Sequence, residues 1–409
     1  MVDFSKSWVP VVILIIIIVS TFTFLIFKDN FSTGVRSPSQ PLPGCVEMKN
    51  DGNYAESIDI VFLADNFENL DKFRKISDEM VKSFFETTPY DEYKDRFNFF
   101  RIEKLDNDYN CDYNYGGDAI VCKPGNIKRA AASCPNDYPI VLVDVSGIQK
   151  LFQHLRSSAW MGTASLNSDD DPLVFTHEFA HLFADFADEY EFEGDVDWSA
   201  PNCDSDLSSC SKFDIVDDHE CILGCANRDH ARSIHTGIMR DYWKSKVYGN
   251  YNEAILREII EEDSRPQTSE LQKSPLNYVE LQYSMGNWNI ISVTEGEGFA
   301  DQFSNDGDLI EIIDSSGNSL ASVSLKSPIL FSCGHDKDSK PDYSNIIIEG
   351  SSYMVGLPIL EDSEKIIVKM GNNTASAAEQ IILALHVLRD VLDIEFTGYP
   401  TAGFTTWID

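Results

Sequence analysis

The stretch VFTHEFAHLFADFADEY, residues 174–190, contains the pattern His-Glu-x-x-His at His177, Glu178 and His181. Positions i and i+4 of a helix share one face, so the two imidazoles should point the same way. Such a pair can bind one zinc ion, and the glutamate between them can act as general base on a water that the metal activates. A core helix gains nothing from these residues, because buried charge is costly without a partner. The pattern therefore predicts a Zn2+ site with His177 and His181 as ligands and Glu178 as the catalytic residue.

A catalytic zinc ion normally has three protein ligands, and helix geometry restricts the third. Asp188 lies about 20° around a helix from His177, which is the correct face. On a straight helix it would lie roughly 10 Å along the axis from His181, whereas zinc–oxygen bonds measure about 2.0–2.2 Å. The helix must therefore end near residues 183–185 and reverse if Asp188 is the third ligand. Three other residues remain open as third ligands: Asp185, Glu189 and His235.

The residues before this motif predict an α/β arrangement. SIDIVFLADNF predicts a buried strand over Ile58–Ala64, and apolar residues at helical spacing follow until Pro89. Two more strands are predicted, one in DRFNFFRIEKL (residues 95–105) and one in YPIVLVDV (residues 138–145). This order of elements favours an α/β (α+β) zinc-peptidase domain over residues 55–270, with helices packed on a mixed sheet.

The chain changes character after residue 270. YVELQYSM (residues 278–285) alternates apolar and polar residues, and LIEIIDSSGNSLASVSL (residues 309–325) has the pattern of two strands around a Ser-Gly-Asn turn. These patterns predict a separate all-β, sandwich-like domain over residues 275–409.

The N-terminal residues are typical of a membrane segment. No charged residue occurs between Trp8 and Phe27. At about 1.5 Å per helical residue this run spans roughly 30 Å, the thickness of a bilayer core. It is longer than the apolar part of a cleaved signal peptide, and no small-residue cleavage site follows it. We therefore predict a transmembrane signal anchor over residues 1–28, followed by a Pro- and Ser-rich stalk over residues 29–54.

The chain has nine cysteines, of which four are clustered: Cys203, Cys210, Cys221 and Cys225. Cysteines in loops behind a membrane segment favour disulfide bonds outside the cytoplasm. A structural zinc site is the alternative for the cluster, but its spacings do not fit the usual Cys-x2-Cys pattern. The expected location is thus the cell membrane, as a single-pass protein with most of the chain extracellular, or a form released from it.

The formal net charge is −35, from 67 acidic and 32 basic residues. Phosphates of nucleic acids and of anionic lipids are bound through clusters of Lys and Arg. The charge therefore argues against a nucleic-acid partner, and contact with a membrane is expected only through the N-terminal helix.

Residues 177–190, HEFAHLFADFADEY, resemble the signature of the bacterial IgA metallo-endopeptidase family, a metzincin-like family of zinc peptidases. The likeness extends over about residues 55–245, through the strands and helix that precede the motif. The Asp-Glu-Tyr tail is also similar to the zinc site of the immune-inhibitor-A metalloproteases, in which an Asp after a glycine turn completes the ligand set. The resemblance implies that Asp188 is the third ligand and that SIHTGIMRDYW (residues 233–243) forms a Met-turn with Met239 beneath the metal. Here the chain departs from the family, because Ala184 and Asp185 stand where the family keeps glycine.

The motif and the resemblance together predict a zinc-dependent endopeptidase that hydrolyses peptide bonds of extracellular proteins or peptides. A non-catalytic cell-surface or adhesion protein that retains a peptidase-like domain is the alternative, and the missing turn glycine favours it. Another zinc hydrolase, such as an amidase, would use the same site.

Overall fold

A computed structural model describes residues 44–49, 57–105, 109–115, 119–145, 155–190, 200–262, 273–301, 307–332, 346–348, 350–360, 362–370 and 382–383. All of them fall within a unit formed by residues 43–409. The predicted membrane anchor over residues 1–28 lies outside the described residues. Among the helices that are described, none is long and apolar enough to cross a membrane.

The strands of the described residues are, in chain order, β1 (Cys45–Lys49), β2 (Ile58–Asp65), β3 (Phe97–Ile102), β4 (Asp112–Tyr115), β5 (Ala119–Val121), β6 (Tyr138–Val143), β7 (Ser158–Trp160), β8 (Thr163–Asn167), β9 (Ile222–Cys225), β10 (Asn227–Arg232), β11 (Ser274–Ser284), β12 (Asn287–Gly298), β13 (Leu309–Ile313), β14 (Ser319–Ser324), β15 (Ile329–Ser332), β16 (Ile346–Ile347), β17 (Ser351–Pro358), β18 (Lys365–Lys369) and β19 (Ile382–Leu383). The α-helices are α1 (Leu70–Phe84), α2 (Pro124–Ala131), α3 (Leu173–Ala184), α4 (Ile238–Asp241) and α5 (Asn250–Glu262).

The central sheet is mixed and has eight strands, in the order β1-β3-β2-β6-β8-β7-β15-β16. Strands β3, β2, β6 and β8 are parallel to one another. Strand β1 is antiparallel to β3, and β7 is antiparallel to β8. Strand β2 is buried along its whole length, which agrees with its continuous apolar sequence. The predicted strands β2, β3 and β6 and the helix α1 are confirmed.

Aromatic side chains fix α1 and α3 against this sheet. Phe84, at the end of α1, stacks on Tyr90 with ring centroids 4.0 Å apart and contacts Phe175 of α3 at 5.3 Å. Phe62 of β2 meets the same Phe175 ring edge-on at 5.2 Å. Large buried aromatic side chains contribute heavily to core stability, so this cluster sets the position of the helix that carries the zinc motif.

The C-terminal part is rich in β-structure, as predicted. It contains a three-stranded sheet, β12-β11-β17, and a four-stranded sheet, β14-β13-β18-β19. Both sheets contribute to a second hydrophobic core, with Val279 and Leu281 of β11, Ile310 and Ile312 of β13 and Val355 of β17 completely or almost completely buried. The alternation of apolar residues along β11 therefore corresponds to one buried face, as in a sandwich.

Two segments depart from the predicted domain boundaries. Cys45–Lys49, within the predicted stalk, is the edge strand β1 of the central sheet. Strands β15 and β16, within the predicted C-terminal domain, pair at the opposite edge of the same sheet. Alternation along a strand indicates which face is buried but carries no information about the partner strand, so a sequence pattern cannot assign a strand to a distant sheet.

Four disulfide bonds are present among the described residues, and they confirm the predicted disulfide bonding. They join Cys45 to Cys134, Cys111 to Cys122, Cys203 to Cys225 and Cys210 to Cys221. The four clustered cysteines therefore pair with one another and do not form a structural zinc site. The remaining cysteine, Cys333, lies outside the described residues.

Candidate metal centre

Helix α3, which carries the His-Glu-x-x-His pattern, is buried along its whole length. It begins at Leu173, whose backbone N–H donates a hydrogen bond to the carboxylate of Asp171 at 2.9 Å. Because its surface is apolar on most sides, the helix is suited to packing between α1 and strands β7 and β8. His177 and His181 are one turn apart and share a face, with ring centroids 4.8 Å from each other.

Asp185 makes the chain reversal that the predicted third ligand requires. Its backbone is left-handed, with φ 50° and ψ 33°. Aspartate enters this region more readily than most residues other than glycine. The N–H of Phe186 donates back to the carbonyl of Ala180 at 3.4 Å, so the helix ends at Ala184. The absence of glycine from this turn therefore does not prevent the reversal.

The reversal brings Asp188 to the two histidines, as a group whose atoms are arranged to hold a metal ion. The two Nε2 atoms are 3.2 Å apart. Asp188 Oδ1 lies 3.1 Å from Nε2 of His177 and 3.4 Å from Nε2 of His181. Ligands at tetrahedral angles and at about 2.0–2.1 Å from a zinc ion are separated from each other by about 3.3–3.4 Å. The observed triangle is therefore close to one face of a tetrahedral zinc site.

The other nitrogen of each imidazole is held by a backbone carbonyl. Nδ1 of His177 lies 2.9 Å from the carbonyl oxygen of Ile238, and Nδ1 of His181 lies 2.5 Å from that of Phe186. A carbonyl oxygen only accepts hydrogen bonds, so each Nδ1 carries a hydrogen, and each ring in its neutral form presents its Nε2 lone pair to the group. Metal-binding histidines are oriented in this manner in proteins generally.

Asp188 adds a negative charge to these two lone pairs. It is fully buried, and neither carboxylate oxygen completes a hydrogen bond within the described part of the chain. Burial by itself would raise the pKa of this carboxyl, but the adjacent His181 and His177 side chains lower it to about 2. A buried carboxylate needs a positive charge beside it. In the metal-free chain protonated imidazoles provide that charge, and a bound cation would provide it when both rings are neutral.

The alternative third ligands do not join this group. Asp185 and His235 are exposed to solvent. Glu189 is fully buried, but its Oε1 accepts a hydrogen bond from Asn252 at 2.7 Å. Burial raises the pKa of Glu189 to about 7, although hydrogen bonding from Asn252 acts in the opposite direction. Of the four residues left open by the sequence, Asp188 is the one that the fold brings to His177 and His181.

The segment predicted as a Met-turn supports the ligands through its backbone. Besides the Ile238 carbonyl that holds His177, the carbonyl of Met239 accepts the N–H of Glu189 at 2.8 Å. Met239 is fully buried in the same core as α3. Arg240 donates a hydrogen bond to the carbonyl of Glu189 at 2.9 Å, so its side chain contacts the backbone next to Asp188.

Asn202, which no sequence pattern identified, holds the backbone next to Asp188. Its Oδ1 accepts the N–H of Ala187 at 2.8 Å, and its Nδ2 donates to the carbonyl of Ala187 at 2.9 Å. Its neighbour Cys203 is bonded to Cys225. A single Asn beside a cysteine gives no signal of this role in a sequence.

Phe331 of β15 also reaches the metal group and was not predicted from the sequence. Its ring stacks on that of His181, with centroids 4.4 Å apart and an angle of 12° between the planes. On the other side, the Tyr242 ring lies 5.3 Å from that of His177. Both aromatic residues are buried, and so is Glu178. The side chains of the candidate centre are thus buried, with an aromatic side chain from the C-terminal part against one of its histidines.

Comparison with known protein families found no matching family model, and comparison with curated proteins found no matching sequence.

Proposed function

We propose that this protein is a zinc-dependent endopeptidase that hydrolyses peptide bonds of extracellular proteins or peptides. The observation that carries the proposal is the triangle of two Nε2 atoms from a helix that also bears Glu178 and the Oδ1 atom of Asp188 beyond the turn, with sides of 3.1–3.4 Å. These donors are two imidazoles and one carboxylate, a ligand set of the kind that zinc hydrolases use.

In this proposal His177, His181 and Asp188 hold the zinc ion. When bound, the ion lowers the pKa of a water and polarises the scissile carbonyl. Glu178 takes the proton of the attacking water and later gives it to the leaving amine, a role that fits its place one residue after His177. The hydrogen bonds from the two Nδ1 atoms fix the orientation of the ligand rings during turnover.

The proposed location is the outer side of a cell membrane, anchored by residues 1–28. Four disulfide bonds among the described residues support an oxidising compartment, because cytosolic proteins rarely keep such bonds. The substrate is then a protein or peptide outside the cell, which is also consistent with the acidic composition and the absence of basic clusters for nucleic acid.

The closed centre favours one competing function. His177, Glu178, His181 and Asp188 are each at most 1% exposed. A substrate can reach groups buried to this extent only if the part of the chain that covers them moves. A non-catalytic surface protein that keeps a peptidase-like domain would have no need of such access.

The metal content of the purified full-length chain tests the proposal. We expect about one zinc ion per chain, and loss of that zinc in Asp188→Ala. Asp185→Asn is the matched control, since it changes a neighbouring carboxylate that is exposed, and it should keep the metal. A folded parent without zinc, or an Asp188→Ala variant that keeps it, would contradict the ligand assignment.

Cleavage of a peptide library then separates the enzyme from the surface protein. Glu178→Gln should retain the zinc ion and lower the cleavage rate by about 10²–10⁴-fold, because it removes the general base and keeps the shape of the side chain. Equal rates for parent and variant would show that the observed cleavage does not come from this site.

A further inference from the structure

Strand β15 lies between β7 and the outermost strand β16, at the end of the central sheet that packs against the metal helix. Helix α3 packs against β7, and β15 pairs antiparallel with β7 through Leu330 with Trp160, Phe331 with Ala159 and Ser332 with Ser158. Without β15, the described part of the sheet would end at β7. The backbone groups of an edge strand can pair with an extended peptide, and strand addition is a common mode of peptide recognition.

The side chains on the two faces of β15 pack into different hydrophobic cores. Phe331 packs into the core that contains α3, and its ring covers His181. Leu330, the preceding residue, packs into the core of the C-terminal sheets. Successive side chains of a strand point to opposite faces, so β15 can join the two cores and still place one aromatic ring on a metal ligand.

The attachment of β15 to the central sheet is short. Its pairing with β7 covers three residue pairs, and its pairing with β16 covers two. The Nε1–H of Trp160 adds one hydrogen bond, to the carbonyl of Pro328 at 3.1 Å. A backbone hydrogen bond contributes only about 0.5–1.5 kcal/mol net, so burial of Leu330 and Phe331 contributes most of the attachment. An extended peptide that makes the same bonds and fills the same two side-chain positions can therefore compete with so short a strand.

We propose that β15 is an internal inhibitory strand. It takes the position in which an extended polypeptide substrate would pair antiparallel with β7, and Phe331 closes the metal centre above His181. Activity then requires displacement of β15 from β7. This inference rests on the proposed peptidase function, and it accounts for a metal group whose side chains are all buried.

The first test uses the full-length, zinc-loaded chain and a tripeptide hydroxamate as the probe. Phe331→Ala removes the ring that covers His181, and we expect the affinity for the probe and the rate of peptide cleavage each to rise at least 10-fold. Ile310→Ala is the control, because Ile310 lies in the same core as Leu330 but on β13, whose partners among the described strands are β14 and β18, so it tests the effect of loosening that core alone. It should lower stability without changing affinity for the probe. Unchanged or weaker probe binding in Phe331→Ala would overturn the inference and make Phe331 a support for His181.

A second variant applies if Phe331→Ala does not fold, and a second measurement applies if the parent binds no zinc. If Phe331→Ala does not fold, Phe331→Leu keeps most of the apolar volume and removes the stacked ring, and the same rise is expected at a smaller size. If the parent binds no zinc, modification of His181 by diethylpyrocarbonate in the metal-free chain tests the cover directly. His181 should react at least 10-fold faster in Phe331→Ala than in the parent, and equal rates would overturn the inference.

Failure of the proposed function has a different signature. If Phe331→Ala gains affinity for the hydroxamate and no variant cleaves peptides, the peptidase proposal fails and β15 still stands as the element that closes the centre. If the parent cleaves peptides and Phe331→Ala does so no faster, the peptidase proposal stands and the inhibitory strand does not.

Discussion

At the scale of single residues, the position of Asp188 depends on side chains that do not belong to the metal group. Asn202 makes two hydrogen bonds to the backbone of Ala187, and the N–H of Ala226 donates to the carbonyl of Asp188 at 2.9 Å. These contacts hold the residues after the turn in place before any metal binds. Replacing outer groups that orient metal ligands typically lowers metal affinity by about 10–100-fold.

Replacing Asn202 should therefore weaken metal binding. We expect Asn202→Ala to lower zinc affinity by about 10–100-fold, because Ala187 loses both partners and Asp188 is no longer held toward the histidines. Competition with a chelator well below the unfolding temperature measures this change.

Asn252→Ala is the matched control for this prediction. Asn252, like Asn202, is a buried Asn. It donates hydrogen bonds to the carboxylate of Glu189 and to the carbonyl of Tyr248. Its replacement should change zinc affinity much less. An equal loss in both variants would mean that general destabilisation, and not the placement of Asp188, weakens binding.

At the scale of elements, the end of helix α3 decides whether the third ligand can reach the histidines. Asp185 carries the left-handed backbone of the turn, whereas Ala184 is the last helical residue. The left-handed region costs L-residues roughly 1–2 kcal/mol, less for Asp, and costs glycine almost nothing.

Asp185→Gly should raise the free energy of unfolding by about 0.5 kcal/mol, because relief at the turn exceeds the extra freedom of glycine in the unfolded chain. Ala184→Gly, one residue earlier, should lower it by about 0.5–1 kcal/mol, because glycine is unfavourable within a helix. Urea unfolding of both variants measures the two values. If both variants changed the free energy of unfolding in the same direction, the left-handed backbone at Asp185 would not explain the change.

At the scale of the whole molecule, a largely buried ion pair connects helix α2 to the sheets of the C-terminal part. Lys128 of α2 contacts Asp301 at 2.6 Å, and the second oxygen of Asp301 accepts the N–H of Gly356 in β17 at 2.6 Å. Lys128 is almost completely buried. The N–H of Phe299 also donates to the carbonyl of Ala132, just beyond α2. The C-terminal sheets are thus tied to α2 as well as to β7 through β15.

Lys128→Met should lower the free energy of unfolding by up to about 3 kcal/mol, because it leaves Asp301, whose side chain is 12% exposed, without its counter-charge. The double variant Lys128→Met/Asp301→Asn should recover most of this loss, since it removes the charge and keeps an acceptor for Gly356. Lys244→Met, at an exposed pair with Asp241, should change stability by no more than about 1 kcal/mol. A double variant as unstable as the single one would contradict the charge explanation.

Much of the central domain is predictable because the sequence patterns that indicate its strands and helices each span only a few residues. Strand β2 and helix α1 follow from runs and spacings within a few residues, and the shared face of His177 and His181 follows from helical geometry alone. The apolar alternation along β11 likewise predicted a buried face. Cys45–Lys49, inside the predicted stalk, forms strand β1, and no local pattern indicates this because pairing of β1 with β3 depends on residues far along the chain.

The sequence by itself therefore determined helix α3 and the pair of histidines with Glu178 between them, since each depends on spacing along one element. Only the tertiary structure decided that Asp188, rather than Asp185, Glu189 or His235, joins the histidines. That choice depends on a left-handed residue and on Asn202, which lies in a separate segment of the chain. Tertiary structure also decided the disulfide partners and the place of Phe331 on His181. Contacts between distant segments arise from packing of the whole chain, and no local periodicity encodes them.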